Sequence, residues 1–412
     1  MGTNVLAVAD RRLNSWKEIG SFFSRDERTV KRWEAHRGLP VHRIPGPGNT
    51  KVFGYVDELA AWLNSGSAAR PAVTSFATAP VVIGSVPRHA PTPHARELYL
   101  AGTYFCNLQT PEALGRALDQ FSRAVALDPH DALCHVGLGT CYLQLSRCGL
   151  AAHAAAFARA RSAAERAVAL DESLAEAHSL LGAVRFHGSW DVLGALESLQ
   201  RALELAPDSW QARHRHAVVL LHLGRPAAAL AEITAAQMIN PVYRPVLADK
   251  GRILVHCGRQ ADAVDLLTQL ADVAPGFAAP HASLAELHLD RADHAAYLDT
   301  AHRAAALRGE RCRCIVLRAA RRALDRCGPD AMTQALLAGY RRMQAEGKAG
   351  FYDLAQAHAI AGDGAAAISQ LHRAVVGREP LVLDLLIDPA FAALRCQGAF
   401  RRLVGDVGLS PA

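Results

Sequence analysis

A repeat period of about 34 residues runs through the middle of this chain, and it narrows the possible folds more than any other feature. The segments ALDQFSRAVALDP (Ala117 to Pro129), ALESLQRALELAP (Ala195 to Pro207), ALAEITAAQMINP (Ala229 to Pro241) and AVDLLTQLADVAP (Ala263 to Pro275) align column by column. The interval from Pro207 to Pro241 is repeated without change from Pro241 to Pro275. Such a period means stacked units, each too small to bury its own apolar face. Small side chains at Ala117, Ala195, Ala229 and Ala263 let two helices approach closely, and Phe121, Leu199, Ile233 and Leu267 fill the space beside them. The closing Pro stops each helix. On the preceding helices Gly139, Gly182, Ala217 and Gly251 stand at the matching crossing points, and Leu223-Gly224-Arg225 and Cys257-Gly258-Arg259 supply the turns.

These columns resemble the tetratricopeptide repeat, which implies helix pairs stacked into an α-solenoid with a concave groove lined by first helices. The array is expected over residues 95–380 as about eight repeats, five of them clear. RSAAERAVALDES is a further second helix, displaced by a short insertion around Gly149 to Ala158, and FYDLAQAHAIAGDGAAAISQLHRAV restores the pattern after degenerate stretches. The final LLIDPAFAALRCQGAFRRLVGDVGL departs from the repeat and resembles the C-terminal ends of repeat proteins in bacterial regulators, so residues 381–412 are expected to cap the last exposed face. The resemblance implies a peptide-binding groove, with Glu176, Ser179, His187, His214, His222, Arg252 and His256 at its lining positions. His187, His222 and His256 share a column, one repeat separating each from the next, so stacking should set them in a ladder. A ladder of imidazoles could sense pH or bind a metal or an acidic peptide. The plainer expectation, adopted here, is three solvated side chains at helix ends, with no metal and no cofactor.

Residues 13–64 read differently. Ser15 and Glu18 form an S-x-x-E capping pair, and Trp16, Ile19, Phe22 and Phe23 follow at helical spacing. Ser24 and Glu27 repeat the signature so soon afterwards that only a tight turn fits between two short helices. In the second helix Val30 and Trp33 share the packing face, and Arg25, Arg28, Thr29, Lys31 and Arg32 occupy the opposite surface. Two short runs, Val41-His42-Arg43-Ile44 and Lys51-Val52-Phe53-Gly54-Tyr55, flank a turn-rich centre and predict a β-hairpin. Val56, Leu59, Trp62 and Leu63 predict a closing helix.

TVKRWEAHRGLPVHR followed by KVFGYVDELAAWL resembles the winged head of MerR-like and excisionase-like DNA-binding proteins, over about fifty residues. The resemblance implies a winged helix-turn-helix that docks on double-stranded DNA. Under it Arg25, Arg28, Thr29, Lys31 and Arg32 belong to the recognition helix, and Arg43, Asn49, Thr50 and Lys51 to the wing. Unlike MerR proteins, the chain has no long coiled-coil helix after the head, which shifts any homo-oligomer contact onto the repeats. Between Arg11 and Tyr55 stand ten cationic residues and four acids, an excess of +6 that equals the formal net charge of the whole chain. Charge concentrated on one small domain is what phosphate neutralisation requires. The same residues also fit a solvated helix face.

Residues 65–94 shift to Ser, Ala and Pro, with Pro71, Pro80, Pro87, Pro91 and Pro93, and are expected to act as a partly stiffened linker; residues 1–12 are expected to be disordered. Half the residues are hydrophobic and only 6% aromatic, which suits close-packed helices. The predicted fold class is therefore predominantly all-α, a small winged head with a β-hairpin plus a solenoid of helix pairs. The nine Cys are scattered through predicted helices, without a signal peptide, and imply reduced thiols in a cytoplasmic protein. Cys312 and Cys314 lack the second pair that a structural zinc site needs. No run of eighteen apolar residues predicts a membrane span. Phosphate-loop, nucleophile-elbow, zinc-protease and dinucleotide fingerprints are all missing from the sequence, so no enzyme and no catalytic residue is expected. Two functions fit: a DNA-binding transcriptional regulator whose array binds protein or peptide, or an interaction scaffold whose degenerate head docks protein.

Overall fold

The computed structural model describes residues 12–13, 15–23, 25–37, 39–44, 51–55, 59, 92–108 and 110–409. The chain divides into two compact units, Met1–Ser85 and Val86–Ala412.

In the first unit, Ser15 caps a helix over Trp16–Phe22, its hydroxyl accepting from the Glu18 N–H at 3.1 Å. The second helix spans Glu27–Arg37. Its cap is Asp26, whose carboxylate accepts from the Thr29 N–H at 2.7 Å; Ser24, the expected cap, lies outside the described residues. A carboxylate one residue before the helix reaches an orphan N–H directly and also complements the helix dipole. Three strands follow the order β1-β3-β2, with β1 at Arg12–Leu13, β2 at His42–Ile44 and β3 at Lys51–Tyr55. Both neighbours run antiparallel to β3, with Arg12 opposite Tyr55 and Arg43 opposite Val52. Arg12 is thus part of the sheet and not of a disordered terminus, because pairing satisfies an otherwise open edge of β3. Ile19, Val30, Leu39 and Leu59 form the buried centre, with Trp16, Phe23 and Trp33 packed around it. Trp62 and Leu63, expected in a closing helix, lie outside the described residues.

One contact fixes the angle between the two helices. The Arg25 N–H donates to the Gly20 carbonyl at 2.8 Å, and a Cβ on Gly20 would stand 2.5 Å from the Arg25 carbonyl oxygen. That neighbour is backbone and cannot swing away. Gly20→Ala is therefore expected to destabilise this unit by about 1–3 kcal/mol through overpacking. The readout is the Trp16 and Trp33 fluorescence transition in urea, and an unchanged midpoint would contradict the expectation.

The second unit opens with Pro93 at the first helical position, two residues before the boundary read from the sequence. Eight helix pairs follow: 93–108 with 111–127, 132–147 with 153–170, 175–184 with 192–205, 210–222 with 226–239, 244–256 with 260–273, 278–290 with 294–307, 311–327 with 329–345, and 351–360 with 364–376. From the first pair to the sixth, first helices pack on first helices along the row more closely than second helices do on second helices, which places the first helices on the inside of the curve. The repeat columns meet as hairpin packing demands. Ala117, Ala195, Ala229 and Ala263 are fully buried, as are Leu199, Ile233 and Leu267. A Cβ on Gly182 would stand 2.6 Å from Leu199, and one on Gly251 would stand 2.5 Å from Leu267. Small residues on one helix thus make the room that the large residue of the other fills.

The third pair is interrupted. Its first helix ends in a π-turn over Arg185–Ser189, and Trp190 closes that turn at φ +58°. Past the last pair come two 3₁₀ turns, Pro380–Asp384 and Pro389–Leu394, and a helix over Gly398–Asp406. This segment does more than cap the final repeat. Val382, Leu383, Leu385, Phe391, Leu394, Phe400, Leu403, Val404, Val407 and Leu409 share one core with Tyr352, Ala355 and Leu371 of the last pair and with Phe186, Leu199, Val219 and Leu223 of the third and fourth. Ile387 enters the neighbouring core beside Leu220 and Ile253. Arg378 completes the closure, donating to the Ser189 carbonyl at 3.2 Å with its guanidinium 5.2 Å from the Trp190 ring centre.

Candidate functional site

Two surfaces carry residues singled out by the sequence. On the first unit, Val30 is buried and Trp33 half-buried against Phe23, their rings edge-on at 5.6 Å. Helical geometry then turns Arg28 and Arg32 to the opposite side, where both are exposed, as is Arg25 just before the helix. None of the three ion-pairs with a carboxylate among the described residues. Lys31 behaves differently. Its ammonium binds Glu27 at 3.2 Å and sits 5.5 Å from the Trp16 ring centre, so it is drawn back along its own helix. Thr29 is half-buried, and its backbone N–H holds the Asp26 carboxyl below the usual range. Arg43 and Lys51 lie on the paired strands β2 and β3, with Arg43 opposite Val52 and Lys51 opposite Ile44. Asn49 and Thr50 lie outside the described residues.

The inner face of the array is not the open groove expected from the repeat resemblance. His222 is buried, with Nδ1 donating to the Val218 carbonyl at 2.7 Å and Nε2 facing Asp384 Oδ1 at 2.9 Å. Arg252 reaches the same Asp384 oxygen at 3.2 Å and Glu286 at 2.9 Å. Asp384 belongs to the C-terminal segment, so two of the expected groove residues hold that segment in place. Burial alone would raise the Asp384 carboxyl, but the charge of Arg252 and the hydrogen bond from His222 hold it well below the usual range. Asp388 is anchored on the last pair, accepting from the Tyr352 hydroxyl at 2.9 Å and the Gln356 amide at 2.6 Å. Its carboxyl is raised, chiefly by burial.

Of the three column histidines His222 is buried and His187 and His256 are half-buried, so they are not freely solvated side chains at helix ends. The rings of His187 and His222 stand 6.5 Å apart, edge to face, and Phe186 packs against both at 4.9 and 5.3 Å. Burial pushes His187 down to about 3, helped by the charge of His222. Burial and the Arg252 charge push His256 down to about 4. The column arises from the repeat, as the spacing predicts, but at His222 the C-terminal segment takes the place of solvent. The remaining groove positions lie further toward the first repeats. His214 hydrogen-bonds to Asp249 on the next first helix at 2.6 Å. Ser179 accepts from Arg215 at 2.8 Å, and Glu176 is half-buried with its charge felt by that same arginine. Among the described residues no group of three or more His, Cys, Asp or Glu could hold a metal ion. Cys314 is buried and Cys312 packs beside it in the core of the sixth and seventh pairs. No helix among the described residues is long and apolar enough to cross a membrane.

By its period, its column packing and its helix pairing the second unit is an α-solenoid of stacked helix pairs. No protein-family model matches the chain. The transcriptional regulator HilA of Salmonella typhimurium is 28% identical over 144 residues, which is 35% of this chain and 26% of that protein. HilA of Salmonella typhi matches to the same extent. The chain thus spans about a quarter of the length of the curated relatives it matches. Among solved structures, the thermophilic repeat protein TTC0263 of Thermus thermophilus aligns with a TM-score of 0.36 and 17% identity, over 44% of this chain and 92% of that one. Yeast Tom70 aligns with a TM-score of 0.41 and 13% identity, over 78% and 69%.

Proposed function

We propose that this chain is a DNA-binding transcriptional regulator: a winged helix-turn-helix head docks on double-stranded DNA, and the repeat array engages a protein partner and performs no catalytic step. The carrying observation is the helix Glu27–Arg37, which buries Val30 on one side and presents Arg28 and Arg32 on the other without carboxylate partners among the described residues. The paired strands β2 and β3 follow it in the order that a wing requires. Base edges would be read by Arg25, Arg28, Thr29 and Arg32, and phosphates met by Lys31, Arg43, Asn49, Thr50 and Lys51. The partial similarity to HilA, a transcriptional regulator, supports the same reading. On the array, His222 and Arg252 are engaged by Asp384 of the chain's own C-terminal segment, so the partner surface is assigned to the array's exposed faces.

The test is fluorescence anisotropy of a labelled duplex with the full chain at low and moderate salt. Binding should weaken steeply with salt. Arg28→Ala with Arg32→Ala should weaken it at least tenfold, about 1.4 kcal/mol, with the melting curve unchanged. Low-salt affinity that is undetectable, or indifferent to salt, would overturn the proposal in favour of a head that docks protein.

A further inference from the structure

The net charge of the chain equals that of the head, yet the array is not evenly neutral. From Arg303 to Arg326 it carries eight arginines against Glu310 and Asp325, a local excess of +6 in one short stretch. Three of the eight have carboxylate partners. Arg308 lies 3.9 Å from Glu310, Arg313 turns inward to Asp353 at 3.5 Å, and Arg321 is held by Asp299 and by Asp325 at 3.0 Å. The other five, Arg303, Arg311, Arg318, Arg322 and Arg326, are exposed and ion-pair with no carboxylate among the described residues. Arg318 donates only to the carbonyl of Cys314 on its own helix, at 3.4 Å.

Four of these five lie on one helix, Arg311–Cys327, whose 17 residues exceed the 13 of each of the three first helices before it. Positions 311, 318, 322 and 326 fall on a single face, and at 1.5 Å per residue the row is about 22 Å long. A cleft of about 210 Å³ between this helix and His294–Leu307 opens in the middle of the row, lined by Leu298, His302, Leu317, Arg318, Arg321 and Arg322 and by Asp299, the carboxylate that holds Arg321. A solvated helix face does not account for the arrangement. Arg318 with Arg322 and Arg322 with Arg326 are like-charge pairs one turn apart, each destabilising the helix by about 0.2–0.5 kcal/mol. The helix dipole favours a cation in the last turn, which explains Arg326 but neither Arg311 nor Arg318.

We propose that this arginine row is a second phosphate-binding surface, along which the backbone of duplex DNA lies. The inference rests on the reading of the chain as a DNA-binding regulator. Four guanidinium groups in a row of about 22 Å can follow the backbone of one strand, and guanidinium forks suit phosphate oxygens in pairs. An acidic protein segment fits less well, because Ile315 is the one large apolar side chain exposed on this face among the described residues. Interfaces between proteins centre on apolar anchors, whereas a phosphate backbone needs none. With head and row on one chain, the second contact follows the first at a high effective concentration.

The experiment compares the full chain with three variants on one duplex across a salt series: the head pair Arg28→Ala with Arg32→Ala, the row triple Arg318→Gln, Arg322→Gln and Arg326→Gln, and the same triple to Lys. Each phosphate contact adds about 0.9 to the slope of log affinity against log salt. The Gln triple should lower that slope by about 2–3 and weaken low-salt affinity at least tenfold, and the Lys triple should keep the slope. A Gln triple with the parent slope and affinity overturns the proposal. So does a polyglutamate peptide that binds the parent more tightly than the duplex and loses its binding in the Gln triple. Circular dichroism melts guard against unfolding; should the Gln triple melt early, Arg322→Gln with Arg326→Gln, expected to lower the slope by about 2, is read in its place. If the head reading alone is wrong, the head pair leaves DNA binding unchanged while the Gln triple lowers it. If the row is wrong, the reverse holds.

Discussion

Truncation after Gly377 abolishes cooperative melting of the array. The removed segment contributes Val382, Leu383, Leu385, Ile387, Phe391, Leu394, Phe400, Leu403, Val404, Val407 and Leu409, each at most 5% exposed. Burying a large apolar side chain is worth about 1.5–3 kcal/mol, so their gross contribution exceeds the about 5–15 kcal/mol net stability of a typical domain. The entropy lost in ordering the segment offsets much of it. The loss also falls on the other side of the contact, where Phe186, Val219 and Tyr352 would meet water. Far-UV circular dichroism of the truncated chain should show helices without a sharp transition, with strong binding of an apolar dye. A transition within a few degrees of the parent would show that the segment is only an end cap. The same magnitude explains why a peptide is not expected to displace the segment from the inner face.

Asp384→Ala is expected to destabilise the array by about 3 kcal/mol, because it strands Arg252 and His222 in the interior. Their side chains are 18% and 6% exposed, so water replaces the lost partner poorly. Breaking a buried pair costs about 3–5 kcal/mol, and the low end applies because Glu286 still holds Arg252 at 2.9 Å. Urea unfolding of the full chain measures it, and a change under about 0.5 kcal/mol, the range of an ordinary surface substitution, would refute it. The pH dependence has a definite sign. The folded-state carboxyl of Asp384 is held below its ordinary value of 3.8, so its stabilisation is present above that value and lost as the pH falls below it. Asp384→Ala should therefore remove part of the acid sensitivity of the parent.

The helical period was legible because it is local: small and large columns recur once in every repeat, and the packing of Gly182 on Leu199 and of Gly251 on Leu267 follows from them. The Ser15 cap was legible for the same reason, whereas at the second helix the closer Asp26 takes the role assigned to Ser24. What escaped the sequence reading is contact at a distance. Asp384 and His222 are 162 residues apart, and no period links them. A signal was nevertheless present. Asp384 and Asp388 stand one helical turn apart inside an otherwise apolar run, and acids in such a run must find buried partners. The histidine column showed the complementary gap, since repetition predicts which side chains align but not what covers them. For the head, the pattern of apolar and basic positions separates the core side of Glu27–Arg37 from its outer side.

The clasp formed by Arg378 on Trp190 and by Asp384 on His222 and Arg252 gives the array a fixed length. An open row of repeats frays from its ends and tolerates the gain or loss of a unit, because each unit answers only to its neighbours. Here the chain's end must meet residues of the third and fourth pairs, so inserting or deleting one whole repeat between them and the last pair would carry the clasp past its catch. The repeat number is therefore a geometric constant of this protein, set by closure in the way that blade number is set in a propeller.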